Sequence, residues 1–449
     1  MRVTWYTNAC VRVTSSTGVS ILCDPWVNEG AFLGSWFHWP PISGDLASQI
    51  LDEQCDGIYI SHLHPDHYDP KFLSLFSKRR PEVPIYVAQF AHPWLKRSIG
   101  SVVDPLTRVI EVPPLAWVDF GQDFKMQLFA ADTCNPKICG ANVPCQANPS
   151  LRGIDSIAVF SSDGYVVVNA NDAMGVELVP RIVANVGKAD LLMGHYGGAS
   201  PFPQCFPEVE NKDLVARQIV ERTCRMLVQA AEVLNVRYVM PFAGQYVLGG
   251  RLGALNQDRA TIPLDLAANL LRTITEREVI TLIPGGTLNL KSGEKSEDYI
   301  EPNTKQLMEY LERIKKVKFP YEEESGKNWN STSLDLINSA KPVAEKSKFA
   351  KIMLQNSFVI GDGENLVTIN IDPHQRYTSV EAGNRPRFET VTEISMPTEL
   401  LRRLSTRKRD YKGFTTLHWN QADVGSHFLW RRKGEFELAS HSLLNFYGT

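Results

Sequence analysis

The chain has 449 residues, of which 43% are hydrophobic and 22% charged, with a formal net charge of −3. That composition suits a globular protein with a sizeable core, and the near-neutral charge gives no footing for nucleic acid or an anionic membrane surface. No run of about eighteen apolar residues occurs, so no membrane span is expected. Met1–Tyr6 starts directly with strand-like residues, without an apolar leader stretch. The eight cysteines then read as reduced thiols of a cytoplasmic protein.

The first residues form a strand meander: Arg2–Tyr6, Cys10–Thr14 and Val19–Cys23, ending at Asp24-Pro25-Trp26. A loop rich in Gly, Pro and aromatics follows, Gly30 to Pro41, with Phe32, Trp36, Phe37, His38 and Trp39. It reads as a packed surface loop or as one wall of a substrate pocket. Asp45–Asp52 is a short helix and Gly57–Ile60 a buried strand. Helices over Lys71–Lys78 and Ala91–Ser98 alternate with strands over Pro84–Ala88 and Arg108–Val112. Strand Phe124–Ala131 leads into an irregular segment, Asp132 to Arg152, long enough to be a functional loop. Ile154–Ser161 and Tyr165–Asn169 form a hairpin around Asp163-Gly164. Helix Val176–Val186, strand Ala189–Gly194, the long amphipathic helix Asn211–Leu234, strand Arg237–Pro241 and helix Leu264–Thr275 come next. Val279–Ile283 and Thr287–Leu290 are strands.

Strands alternate first with turns and then with helices, and the pattern repeats. Two mixed sheets packed face to face with helices outside, an αββα sandwich of the α/β class, satisfy it. Composition alone leaves ordinary α/β folds open. Lys291–Asn303 is charged and apolar-poor and marks a boundary. We expect one domain over 1–295 and a smaller α+β accessory domain over 304–449. In the latter, helix Thr304–Lys316 precedes strands Phe358–Ile360, Leu366–Ile371 and Phe388–Ile394 and a helix, Thr398–Ser405. Tyr321–Ser333 is polar and reads as mobile.

The chemistry concentrates in Ser61-His62-Leu63-His64-Pro65-Asp66-His67-Tyr68-Asp69, directly after the buried strand. His62 and His64 are two apart and point the same way in an extended backbone. Pro65 then turns the chain, so Asp66 and His67 can face a second position a few Å away. Imidazole plus carboxylate suits zinc, iron or manganese. A polar turn with exposed histidines is the plainer alternative.

This stretch resembles the His-x-His-x-Asp-His motif of the metallo-β-lactamase superfamily, which implies the same αββα fold. The resemblance also implies a third histidine, a bridging aspartate and a last histidine. Asp172, after Val166-Val167-Val168, fits the bridge, the plainer reading being a cap on a following helix. The third histidine is absent from its place. Asp132 stands there, as a ligand or as a turn residue. After strand Arg237–Pro241 the chain has Ala243 and Gln245 instead of the last histidine. His195, at the end of a buried strand, is a replacement ligand, a substrate contact or a core histidine. His418 and His427 read as structural.

Asp24-Pro25-Trp26, Tyr59 to His67, Arg79 to Val87, Gly197-Gly198-Ala199-Ser200-Pro201-Phe202-Pro203 and Pro241-Phe242-Ala243-Gly244 together look like the metallo-β-lactamase-like part of the CMP-N-acetylneuraminate hydroxylase family. That resemblance covers about residues 20–290 and implies an oxygenase. The family also carries a Rieske centre, which needs two Cys and two His. No cysteine here is followed two positions on by histidine, so no Rieske cluster is expected. Electrons would come from a separate donor protein or from the substrate.

Two functions follow. One is a dinuclear non-haem iron oxygenase that hydroxylates or oxidises an organic small molecule. In it His62, His64 and Asp132 would hold one metal, Asp66, His67 and His195 the other, with Asp172 bridging. The alternative is a zinc- or manganese-dependent hydrolase of an ester, lactone or phosphodiester, with Asp66 orienting hydroxide. Asp66 and His195 are the candidate catalytic groups. A non-catalytic scaffold is the least economical reading, because the cluster is costly to bury without a metal.

Overall fold

The computed structural model describes residues 1–90, 93–130, 155–174, 178–323, 333–348, 350, 352–406 and 418–448. Two seven-stranded sheets dominate. The first runs, in spatial order, Gly286–Asn289, Arg2–Thr7, Cys10–Thr14, Ser20–Cys23, Gly57–Tyr59, Ile85–Ala88 and Val109–Val112. Its opening members are an antiparallel meander. From Ser20–Cys23 onward its strands are parallel, with Leu22 opposite Ile58 and Tyr59 opposite Tyr86. The second sheet runs Glu278–Val279, Tyr238–Phe242, Leu191–His195, Tyr165–Asn171, Ser156–Ser162, Lys125–Ala130 and Trp117–Asp119. Its first four strands are parallel, the rest antiparallel.

The core lies between the sheets. Val11, Val13, Ile21 and Tyr59 from one face meet Leu128, Val159 and Val167 from the other. These strands are buried on nearly every residue because both faces of each sheet are covered. Helices Pro70–Arg79 and Trp94–Val102 cover the outer face of the first sheet. Lys212–Val233 and Leu264–Ile274 cover the second. The fold is the expected α/β sandwich.

The hairpin at Asp163-Gly164 forms as its sequence requires. Both residues have positive φ, 55° and 77°, the left-handed pair that a two-residue hairpin turn needs. Elsewhere the boundaries differ. The strand expected over Val279–Ile283 is only Glu278–Val279, since Pro284 soon ends the run. Trp117–Asp119 is a strand too short and too exposed to stand out by pattern. Helix Ser333–Ser347 carries Pro342 within it, and its mixed small and polar residues hide its buried face.

A five-stranded sheet occupies the C-terminal part, in the order Tyr377–Ala382, Leu366–Asp372, Asn356–Gly361, Val391–Ser395 and Leu429–Lys433. We propose the division into 1–295 and 304–449 on this change of sheet. The two parts share a core, however. Trp26, Phe32, Trp36, Phe206 and Tyr246 pack in one cluster with Phe358, Ile369, Trp419 and Trp430. Helix Thr304–Ile314 lies against Phe37, Trp39 and Val247 through Tyr310 and Ile314.

A candidate metal centre

Five loops converge at one end of the sandwich. They leave the carboxyl ends of parallel strands in both sheets: Asp24 after Ser20–Cys23, the His62 motif after Gly57–Tyr59, Asp172 after Tyr165–Asn171, His195 at the end of its strand, and Ala243 after Tyr238–Phe242. Carboxyl ends of parallel strands are where an α/β sheet offers a site.

The ends are tied across the sheets. Tyr59 donates its hydroxyl to the Ser156 carbonyl at 2.9 Å, and Ser156 donates to the Ser61 carbonyl at 2.8 Å. The Asn171 amide donates to the same Ser156 carbonyl at 2.9 Å. Asn171 itself holds φ 38° and accepts from the Asp172 N–H at 2.7 Å. This directs Asp172 toward the histidines. Helix Leu178–Val186 begins only later, and the Asp172 carboxylate faces His62 and His67.

One atom each from His62, His67 and Asp172 lies within 4.8 Å of the others. Asp172 Oδ2 is 3.5 Å from His67 Nε2 and 4.0 Å from His62 Nε2. Asp66 Oδ2 is 3.7 Å from His67 Nε2. This tightest triple takes one residue from each of the two expected pairs and is consistent with a carboxylate standing between two positions. His64 stands beside it, its Nδ1 2.8 Å from His62 Nε2. His195 is half-buried and donates Nδ1–H to the Asn171 carbonyl at 3.1 Å, which leaves Nε2 as the ring's lone-pair nitrogen. Asp132 lies outside the described residues, as does the segment up to Arg152.

Three contributors were not singled out from the sequence. Asp24 is fully buried, accepts the Ser61 N–H at 2.7 Å, and places Oδ2 3.0 Å from His67 Nδ1. Asp155 places Oδ1 3.7 Å from His62 Nδ1. Asn420, from the C-terminal part, stands 2.9 Å from His64 Nε2. Asp24 had a local signal, the Asp-Pro-Trp that ends a strand. Asp155 had a weaker one, a lone acid opening an apolar strand. Asn420 had none.

Burial and crowding shift the titration of nearly every group in the cluster. Burial raises Asp66 to about 7, and burial with the nearby Asp172 charge raises Asp155 to about 6. Burial pushes His62 well below the usual imidazole range and His64 down to about 4. His67 goes the other way, held up by Asp172, Asp66 and Asp24 against its burial. Asp66 Oδ1 and Asp155 Oδ1 are buried with no hydrogen-bond partner among the described residues. Orphaned carboxylate oxygens beside imidazole nitrogens are what metal ions would satisfy, so the residues fit the metals the motif implies.

A narrow cleft opens beside the cluster. Asp66 and His67 line it with Trp36, Gly197, Gly198, Gly244 and Tyr246. Trp36 comes from the aromatic loop and stacks on Tyr246 with ring centroids 3.4 Å apart. A Cβ on Gly244 would sit 2.7 Å from the Tyr196 ring, and one on Gly197 would sit 3.1 Å from the Gly244 carbonyl. The Gly-Gly-Ala-Ser and Pro-Phe-Ala-Gly stretches therefore need glycine where they pack on each other.

Comparison with known proteins finds similarity to the same family. Residues 2–127 match the model of the Beta-lactamase superfamily domain. The chain is 27% identical over 317 residues to the cytidine monophosphate-N-acetylneuraminic acid hydroxylase of Cricetulus griseus, covering 67% of this chain and 51% of that one. With the hydroxylase of Asterias rubens the identity is 27% over 255 residues, 55% of this chain and 35% of that one. The chain thus spans about half the length, or less, of these curated relatives. Among solved structures, the metallo-beta-lactamase fold protein YhfI from Bacillus subtilis is similar at TM-score 0.39 and 13% identity, over 64% of this chain and 97% of that one. The isothiocyanate hydrolase from Delia radicum gut bacteria is similar at TM-score 0.40 and 13% identity, over 64% and 99%. The match over residues 2–127 and the two packed seven-stranded sheets agree with a metallo-β-lactamase-like sandwich, and the sequence resembles the hydroxylase family. Among the described residues no helix is long and apolar enough to cross a membrane.

Proposed function

We propose that this chain is a metal-dependent oxygenase, a dinuclear non-haem iron enzyme that hydroxylates or oxidises an organic small molecule. The observation that carries the reading is the donor set. Three partly buried aspartates, Asp66, Asp155 and Asp172, crowd the three histidines of the motif. An oxygen-rich set favours iron or manganese over zinc. The similarity to hydroxylases supports the same reading.

In this reading His62 and His64 hold one ion, Asp66 and His67 the other, and Asp172 lies between them. Asp155 stands in for the missing third histidine, and His195 offers Nε2 to the second position. The bound ions supply activation of dioxygen. The protein's part is positioning and exclusion of water. Asp24 fixes the His67 ring by accepting Nδ1–H, which aims Nε2 inward. Trp36 and Tyr246, stacked on each other and buried, close one side of the cleft. Hydroxylation puts one oxygen atom of dioxygen into a C–H bond and releases the other as water. That balance needs two electrons and two protons, which we assign to a separate electron-donor protein on the expectation, from the missing Cys-x-His pairs, that no Rieske cluster forms here.

A zinc- or manganese-dependent hydrolase of an ester, lactone or phosphodiester is the second reading. Asp66 favours it, because its Oδ2 stands 3.7 Å from His67 Nε2, where a carboxylate can orient hydroxide. Elemental analysis of protein from iron-supplemented cells, with its absorption spectrum, decides between them. Iron at about two ions per chain supports the oxygenase, and oxygen uptake is then the assay. Zinc alone despite iron supplementation overturns it in favour of the hydrolase.

A further inference from the structure

We infer that Asn420 is a positioning residue for His64, so that the metal centre is completed by the C-terminal part of the chain. The inference rests on the reading of His64 as a ligand. Asn420 Oδ1 lies 2.9 Å from His64 Nε2, across 356 residues of sequence, and both side chains are buried. An amide oxygen only accepts, so Nε2 carries the proton and donates. The His64 lone pair is thereby fixed on Nδ1, the nitrogen that faces His62 Nε2 at 2.8 Å. His67 is held by the same logic, with Asp24 on its Nδ1. Asn420 thus does for one ring what Asp24 does for the other, from the opposite end of the chain.

The helix that carries Asn420 is anchored so that this contact can form. Trp419–Val424 begins with His418 Nδ1 accepting the Asn420 N–H at 3.2 Å. Trp419 packs on Phe428 and Tyr447, at centroid distances of 4.4 and 5.1 Å. Just past the helix, a Cβ on Gly425 would meet the Phe32 carbonyl at 2.8 Å. His427 Nε2 donates to that same carbonyl at 2.9 Å. The Phe32 ring in turn stands 5.7 Å from the His64 ring. The C-terminal helix and the aromatic loop are clamped together on one side of His64.

By linkage, metal binding at His64 and docking of this helix strengthen each other. The experiment is cobalt titration of the full-length metal-free protein, read by affinity and by the cobalt absorption spectrum. Asn420→Leu, which cannot accept the proton, is expected to weaken cobalt binding about 10- to 100-fold and to change the spectrum. Asn420→Asp, which still accepts, is expected to restore both. Wild-type affinity and spectrum in Asn420→Leu overturn the inference. Hydrogen exchange on the wild-type chain needs no variant: cobalt is expected to slow exchange over residues 419–424, and unchanged exchange there also overturns it. His64→Ala separates the two layers. Full cobalt binding in that variant removes His64 from the ligands and the inference with it, whereas lost binding beside an unaffected Asn420→Leu removes the inference alone.

Discussion

Asp24 Oδ2 and His67 Nδ1 stand 3.0 Å apart in a pocket where both side chains are buried. The Asp24 backbone has φ 43°, and its N–H bonds to the Tyr59 carbonyl at 2.9 Å. A residue before the first crossover is therefore locked to the strand that delivers the motif. Asp24→Asn is expected to keep the fold, because Asn also tolerates the left-handed region. Its weaker hold on the ring should cost about 10- to 100-fold in metal affinity. Chelator competition checks this, and unchanged affinity would detach His67 from the metal.

Asp172 faces two histidines at once. Asp172→Ala should lower occupancy at both metal positions together, measured as ions per chain by mass spectrometry. Loss of a single ion would show that the carboxylate serves one position and bridges nothing.

Asp155 is expected to matter more for metal than for folding. Asp155→Ala should weaken metal binding by about 10- to 100-fold, and Asp155→His should recover it by returning an imidazole where the motif lacks one. If both variants bind as the wild type does, Asp155 only accompanies the His62 ring.

His427 predicts a pH effect away from the metals. It accepts from the Tyr321 hydroxyl at 2.7 Å and donates to the Phe32 carbonyl, so the folded state requires the neutral ring. Burial, reinforced by the Arg251 charge and opposed by the Phe32 carbonyl, pushes its pKa down to about 3. The unfolded chain takes up this proton near pH 6.5. Stability from this group is present in full above that value and declines as pH falls toward the folded pKa, by about 1.4 kcal/mol per pH unit. Between pH 6.5 and 4, His427→Gln should lose stability less steeply than the wild type in denaturant titrations. Parallel slopes would show that the ring does not carry this linkage.

The local features were legible and the distant ones were not. Strand, Pro and alternating histidines lie within ten residues of each other, so spacing alone reports that Ser61 to Asp69 can gather ligands. Asp172 was visible because it directly follows the strand that carries Val166-Val167-Val168. Asp24 and Asp155 reach the site only because the sheets bring separate strand ends together, and a strand's neighbours are not written in its own residues. Asn420 depends on how the C-terminal part docks, which rests on shared aromatic packing through Trp26, Phe32 and Trp36. Phe32 and Trp36 belong to the aromatic loop that the sequence shows, but their partners lie hundreds of residues away. The same sharing blurs the expected boundary near residue 304, since Tyr310 donates its hydroxyl to Glu29 at 2.7 Å.

Arg2–Thr7 sits between Cys10–Thr14 and Gly286–Asn289. The strand made first is thus flanked on one side by a strand made almost last within the sandwich. During synthesis its outer edge, from Val3 opposite Leu288 to Trp5 opposite Gly286, stays unpaired until that distant segment emerges. An open apolar edge invites pairing with other chains, and closure over so long a loop is slow. A chain cut before Gly286 would keep every residue of the His62 motif, yet it would expose that edge and lose Asn420 beside His64, so carrying the motif does not by itself make a fragment useful.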